Sequence, residues 1–260
     1  MALTNKQKEE IAKIIKDALT TKLKTYELVG DVKPFHERLF SKKRIRETSF
    51  FHSCSTTIGV TLFQNIAYLI AKGNKNFKEV KKPYDVEGTF SSNAQSIIEN
   101  IIFDLGRRQN DPKKRTPNIE DETRAVLKVA SESGNTSAQR ADLYLKDKND
   151  QEIYIEIKSV KPNKSESKET KRGMLKIIAL KRKKVKVLAC MAYNPYEPKE
   201  FAWPLPLSYM KLKEDLLVGK QFWDMLGGSD TYEDLLDVFE ESGKKLSKDL
   251  EAKINELEKL

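Results

Sequence analysis

Cysteine and histidine are the scarcest reactive side chains here, two of each in 260 residues. Cys54 and Cys190 lie far apart and neither belongs to a C-x-x-C pair, which excludes a disulfide framework and a cysteine zinc site. With only His36 and His52, a multi-histidine metal centre is excluded, and both histidines read as structural rather than catalytic. Long hydrophobic runs are missing. The most apolar stretch, Ile58 to Ala71, is interrupted by Gln64 and Asn65 and is too short to span a bilayer. The opening MALTNKQKEEIAKIIKD mixes apolar residues with charge and lacks the shape of a signal peptide. No GxxxxGK[ST] phosphate loop occurs, so ATP-driven DNA translocation is not expected. No internal repeat is visible. These absences predict a cytoplasmic globular protein with no membrane partner.

What is present is charge. Charged residues make up 33% of the chain beside 38% hydrophobic ones, a balance that folds and leaves a heavily charged surface. Lys and Arg number 48 against 39 acids, a net +9. Twelve cations and two acids fall between Lys158 and Lys186, so this block carries +10 and the rest of the chain nets −1. Ser229 to Leu260 carries ten acids and five lysines. A concentrated basic block points to a polyanion, because neutralised phosphates release counterions.

The chain opens with a helical pattern from Thr4 to Tyr26, started by the capping box Thr4-x-x-Gln7 and striped by Ile11, Ile14, Ile15, Ala18 and Leu19. A second helix is predicted from about Ser55 to Ala71, and a third from Ser92-x-x-Gln95 to Leu105. Asn118 to Ala130 reads as a helix after a polar link. The N-terminal third is thus expected to be all helix. Then the period changes. Ala141 to Lys146 and Glu152 to Ser159 alternate, are rich in Ile and Tyr, and flank the turn-forming DKND. A helix over about Lys168 to Leu180 and a buried strand over Val185 to Tyr193 follow. Strand, helix, strand makes a βαβ crossover with its two strands parallel. The chain past Val218 is again helical. The expected class is α/β (α+β), a mixed sheet flanked by helices.

Asp142 precedes Glu156-Ile157-Lys158 by fourteen residues. Strand alternation sets Glu156 and Lys158 on one face, with Ile155 and Ile157 on the other. A hairpin register that pairs 146 with 152 also sets 142 opposite 156, and the two carboxylates then share a face; a slip of one residue separates them. Two adjacent carboxylates make a hard-oxygen site suited to Mg²⁺, with Mn²⁺ as a substitute. The Lys158 ammonium would stand beside the metal and the attacking water. A bare E-x-K is common on half-exposed strands. Its place after a hairpin and before a basic helix is what gives it weight.

This arrangement resembles the PD-(D/E)xK nucleases. Three segments narrow the likeness: Glu156-Ile157-Lys158-Ser159-Val160-Lys161-Pro162-Asn163-Lys164, Glu169-Thr170-Lys171-Arg172 and Tyr193-Asn194-Pro195-Tyr196-Glu197-Pro198. With Pro34-Phe35-His36-Glu37-Arg38-Leu39, Phe50-Phe51-His52-Ser53, Thr56-Thr57-Ile58-Gly59 and Gly219-Lys220-Gln221-Phe222-Trp223, they are similar to the TdeIII/MjaII group of type II restriction endonucleases, over about residues 1 to 240. The residue before Asp142 is Ala141 where the motif name has proline.

The resemblance implies a PD-(D/E)xK restriction-endonuclease-like core over 111–228, a helical N-terminal region over 1–110 for dimerisation or clamping DNA, and an acidic helical tail over 229–260. It implies Mg²⁺-dependent cleavage of double-stranded DNA at GGNCC, leaving 5′-phosphate ends, by a homodimer whose genetic companion is a cytosine methyltransferase. Asp142 and Glu156 would hold the metal with the Ile157 carbonyl, Lys158 would complete the catalytic set, and Glu99 is a further carboxylate of the kind related nucleases sometimes add. Asn163, Lys164, Lys168, Lys171 and Arg172 would reach the groove, with Arg172 the first choice as a guanine reader. Lys161 and Lys183 are further DNA contacts. Two other readings stand beside this one: a structure-specific PD-(D/E)xK nuclease of repair or recombination, and a non-catalytic DNA-binding protein.

Overall fold

The computed structural model describes residues 3–27 and 33–259. Among them run α1 (Asn5–Thr25), α2 (His36–Leu39), α3 (Lys42–Thr57), α4 (Val60–Gly73), β1 (Phe77–Lys81), β2 (Tyr84–Phe90), α5 (Ser92–Leu105), α6 (Ile119–Val129), β3 (Asn135–Ala141), β4 (Leu143–Asp147), β5 (Glu152–Lys158), α7 (Lys164–Lys181), β6 (Lys186–Met191), α8 (Pro204–Leu207), β7 (Leu216–Val218), α9 (Lys220–Gly227) and α10 (Thr231–Lys259). The architecture is the expected mixed α+β one. A five-stranded sheet has the order β1-β4-β5-β6-β7, and β2 and β3 form a separate antiparallel pair. The β5-α7-β6 crossover joins parallel strands, and β4 is antiparallel to β5, both as expected.

Local chemistry explains most helix ends. Thr4 and Gln7 close the predicted capping box on α1. Asn163 and Glu166 close another on α7, which therefore starts four residues before its expected position. Ser91, not Ser92, caps α5 by accepting from the Ala94 N–H. The helix predicted from Ser55 to Ala71 is instead two helices broken at Ile58 and Gly59. Gly59 is extended, and a Cβ there would lie 2.7 Å from the Thr56 carbonyl oxygen, so only glycine lets the chain turn this tightly.

The N-terminal third is not all helix, because β1 and β2 fall within it. Their sequence, FKEVKKPYDVEGTF, carries few apolar residues, and Val86 is the one fully buried side chain of the two strands. Their strand state comes from distant partners: Lys81 faces Tyr144 and Tyr84 faces Ala141. The strand expected over Ala141 to Lys146 is likewise divided. β3 ends at Ala141 on the small sheet, β4 begins at Leu143 on the large one, and Asp142 sits at the bend between them.

Alternation along the sheet divides the core in two. Leu143, Leu145, Ile153, Ile155, Ile157, Leu188 and Cys190 face α1, α4, α9 and α10. Tyr144, Tyr154, Val187, Ala189 and Met191 face α5, α6 and α7. Leu62, Ile66 and Ile70 of α4 lie in the first layer, so the most apolar stretch of the chain is core.

Candidate active site

The hairpin register is the predicted one: Lys146 pairs with Glu152 and Leu143 with Ile155. The paired ladder ends at Leu143–Ile155, and Asp142, at the bend just before it, lies close enough to Glu156 for its charge to act on that carboxyl. Asp142 is fixed by its backbone and its side chain together. Its N–H donates to the Ile155 carbonyl at 3.0 Å, and its Oδ2 accepts from the Ile157 N–H at 2.7 Å. Two residues beyond Glu156 on the same face, Lys158 Nζ lies 2.7 Å from Glu156 Oε1. Behind them Tyr84, Tyr144 and Tyr154 pack ring on ring, with centroids 4.4 Å apart for Tyr84–Tyr144 and 5.2 Å for Tyr144–Tyr154. These rings make a rigid floor.

The electrostatics of the pair are those of a cation site. Burial pushes the Glu156 carboxyl above its ordinary range, and the negative charge of Asp142 pushes it the same way; Lys158 opposes both. A carboxylate whose charged form is disfavoured by burial and by a neighbouring negative charge is one that a divalent cation would stabilise. Oxygen donors with room for water suit Mg²⁺, which keeps part of its hydration shell and binds through one or two carboxylates. Among the described residues no group of three or more His, Cys, Asp or Glu side chains is arranged to hold a metal ion. A divalent cation held here would have the two carboxylates and backbone oxygen as donors, and the Ile157 side chain is buried in the opposite layer.

Glu99 is engaged by a cation of its own. It holds Arg172 through two bonds, from Nε at 2.6 Å and Nη2 at 2.8 Å, and that ion pair keeps its carboxyl low, with Lys168 contributing. Glu169 takes the Arg172 Nη1 from the other side. The guanidinium chosen as base reader is therefore engaged inside the protein. The reason lies in α5, which packs on α7 and delivers a carboxylate that no local pattern links to residue 172.

Lys171 is a clear correction. Its side chain is 0% exposed, and its Nζ lies 2.5 Å from Glu122 and 2.7 Å from Asp215, both equally buried. It ties α6, α7 and the approach to β7 together and does not reach DNA. The helix stripe predicted from Met174, Leu175 and Ile178 is right, and Lys171 lies within it, one turn earlier. Lys183 is also misplaced. α7 starts at the Lys158 end of the sheet and runs back 18 residues, about 27 Å, to the far end. There Lys183 pairs with Glu152 at 3.0 Å.

Asn163, Lys164 and Lys168 do stand at the correct end. Asn163 is exposed and caps α7, Lys164 lies 3.4 Å from the Gly106 carbonyl oxygen, and Lys168 is half-buried. Lys161 lies over the rings of Tyr196 and Trp203, at 5.3 and 5.6 Å from their centroids. The YNPYEP turn thereby shapes the wall beside the E-x-K strand. Sequence reasoning passed over Glu169, Thr170 and Gln139, which line a narrow recess with Glu156. Glu169 and Thr170 entered only as part of the Glu169-Thr170-Lys171-Arg172 segment, and the signal for their place was the crossover, which lays the first turns of α7 against β5; Gln139, on β3, had none.

A strand hairpin thus brings Asp142 and the E-x-K residues together, floored by aromatic rings and followed by a capped basic helix. The chain matches the type II restriction endonuclease family HinfI over residues 3–243, and it belongs to that family. It is a type II restriction enzyme, a class that acts on double-stranded DNA. Its sequence is 27% identical over 231 residues to the type II restriction enzyme HgiCII of Herpetosiphon aurantiacus, covering 86% of this chain and 82% of that protein. Identity to the type II restriction enzyme HgiBI of the same organism is 28% over 231 residues, covering 86% of this chain and 82% of that protein. The type II restriction enzyme MjaII of Methanocaldococcus jannaschii is 28% identical over 218 residues, covering 76% of this chain and 55% of that protein.

Proposed function

We propose that this enzyme cuts both strands of duplex DNA at GGNCC in a Mg²⁺-dependent hydrolysis that leaves 5′-phosphate ends, from a PD-(D/E)xK centre made by Asp142, Glu156 and Lys158. The observation that supports this reading is the hairpin end, where the Asp142 carboxylate accepts from the Ile157 N–H at 2.7 Å and the Lys158 ammonium lies 2.7 Å from the Glu156 carboxylate. Asp142, Glu156 and the Ile157 carbonyl would hold the metal, which when bound supplies charge neutralisation at the phosphate and a more acidic water. Lys158 orients the attacking water and places positive charge beside the phosphorus as it becomes five-coordinate. The Ile157 N–H keeps the Asp142 carboxylate turned toward the site. Asn163, Lys164 and Lys168 at the start of α7 meet the DNA on the same side.

The GGNCC target rests on the likeness of the PNK, TKR and YNPYEP segments described above. Such a site is palindromic apart from its central base pair. A chain with a single E-x-K centre then cuts both strands as a two-fold homodimer. A cytosine methyltransferase protecting the same site is the genetic companion this implies.

Digestion of a plasmid with GGNCC sites, followed by run-off sequencing, tests the reading. The enzyme should give discrete ends in Mg²⁺ and none in excess EDTA. Asp142→Asn and Glu156→Gln should each lose about a hundredfold or more of cleavage, as expected for removing a principal electrostatic stabiliser, while still binding DNA. Near-normal cutting by either variant would refute the site, and ends outside GGNCC would refute the target.

A further inference from the structure

The basic block that first suggested a polyanion is largely engaged within the protein: Lys171 is buried, Arg172 is held by two glutamates, and Lys181 and Lys183 pair with Glu152. A second basic element is far more open. Residues 33–46, KPFHERLFSKKRIR, hold six cations against one acid, Glu37, a balance of +5. They form α2 and the start of α3. Four of the seven large hydrophobic side chains that are exposed among the described residues lie on these two helices or just before them: Phe35, Leu39, Phe40 and Phe51. Between the helices is a cavity of about 430 Å³ lined by Lys33, His36, Arg44, Thr48, Ser49 and His52 among others, with no acid on its wall. Arg44 is shared with Glu47 at 2.8 Å.

The topology places this arm. The β4–β5 turn lies at the end of the sheet opposite Asp142, and its Lys148 N–H bonds to the Asn76 carbonyl just past α4. Gln7 of α1 packs on Gly73 at the C-terminus of α4, and Leu3 and Lys8 bond Asp234 at the start of α10. Both α1 and α10 therefore begin at the turn end and run toward the E-x-K end. α1 is 21 residues long, about 31 Å, and α10 is 29 residues, about 43 Å, whereas β5 with 7 residues covers about 23 Å. The far ends of the two helices overreach the sheet, and there Tyr26 and Leu257 pack against Phe50 and Cys54 of α3. The arm thus projects past the end of the molecule that carries Asp142 and Lys158.

We infer that the α2–α3 arm is a second DNA-contact surface, which grips the phosphate backbone of the duplex flanking the cut site, with the cationic cavity seating phosphate and the exposed aromatic rings lying against the sugars. This rests on the reading that DNA lies across the E-x-K end. A second copy of the chain is the poorer occupant. A two-fold interface sets a patch against itself, and this patch would bring like charges together. A phosphate backbone, with a charge about every 1.7 Å along its axis, complements it.

The experiment compares duplexes containing the same central site, one of about 12 base pairs and one of about 30, roughly 3.4 Å per pair. Binding of the full-length enzyme is read by fluorescence anisotropy without Mg²⁺. Lys42→Ala/Arg44→Ala should weaken binding to the long duplex about tenfold and flatten its salt dependence, and change binding to the short one by less than twofold. Arg44→Glu should exaggerate the difference, and Phe40→Ala should reproduce part of it. Thermal melting confirms that these exposed positions leave the fold intact. Equal losses on both duplexes, or none on the long one, would overturn the proposal, as would a fall in sedimentation mass from dimer to monomer. Because the readout is affinity against length, it fails or succeeds independently of whether Glu156→Gln abolishes cleavage.

Discussion

Replacing Lys171 with methionine removes the one fully buried cation from the Glu122–Asp215 cluster. The variant keeps the length and much of the volume of the side chain, so packing changes little and the electrostatic consequence dominates. Glu122 and Asp215 are 0% and 1% exposed, and each keeps one backbone donor: Asn118 N–H at 3.1 Å for Glu122 and Lys211 N–H at 2.6 Å for Asp215. Two buried carboxylates would then face each other with those donors and Arg115, at 4.0 Å from Glu122, as the remaining compensation. Breaking a buried pair by removing one partner costs about 3–5 kcal/mol. The retained donors, and the ease with which Glu122 takes up a proton, place this case near the lower end, about 3 kcal/mol. For a chain of this size that lowers the melting temperature by about 6–12 °C. Urea unfolding at pH 7 followed by circular dichroism gives the free energy directly. Lys183→Ala, on an exposed pair with Glu152, serves as the comparison and should cost less than about 1 kcal/mol. In the double variant Lys171→Met/Glu122→Gln, part of the loss should return, because the repulsion between the carboxylates is gone. A loss below about 1 kcal/mol for Lys171→Met, or a large drop in DNA affinity in a fully stable protein, would refute the assignment of Lys171 to the core.

Two further outcomes follow from the same geometry. Burial raises the Glu122 carboxyl in the folded state above its unfolded value of about 4.3. The native state then holds that proton more tightly, so stability should fall as pH rises from the unfolded value through the folded one. Urea midpoints from pH 4 to 8 should show this fall in the parent and a flatter profile in Glu122→Gln, and identical profiles would count against it. Arg172→Ala should leave the ratio of cognate to non-cognate DNA affinity unchanged within about twofold, since its donors are held by Glu99 and Glu169. A loss of about 1–3 kcal/mol confined to cognate DNA, measured by anisotropy, would restore Arg172 as a guanine reader.

The sequence by itself was enough to place the hairpin, its register and the parallel crossover. Strand alternation and a turn of known length leave few alternatives, and a one-residue slip would have turned Ile153, Ile155 and Ile157 out of the core. The same period put Glu156 and Lys158 on one face. The cap at Thr4 was legible because that signal is local, although the equally local caps at Asn163 and Ser91 were missed. What the tertiary structure decided is which charges are free. Lys171, Arg172 and Lys183 look alike in the sequence, yet one is buried against Glu122 and Asp215, one is clamped by Glu99, and one lies about 27 Å along α7 from the site. Apart from Glu169, one turn from Arg172, their partners come from residues 31 to 73 positions away, and no periodicity carries information over that distance. β1 and β2 were hidden for the same reason. A charged segment becomes a strand when a distant strand supplies its hydrogen bonds, and the pairing of Lys81 with Tyr144 and of Tyr84 with Ala141 exists only once the chain has folded.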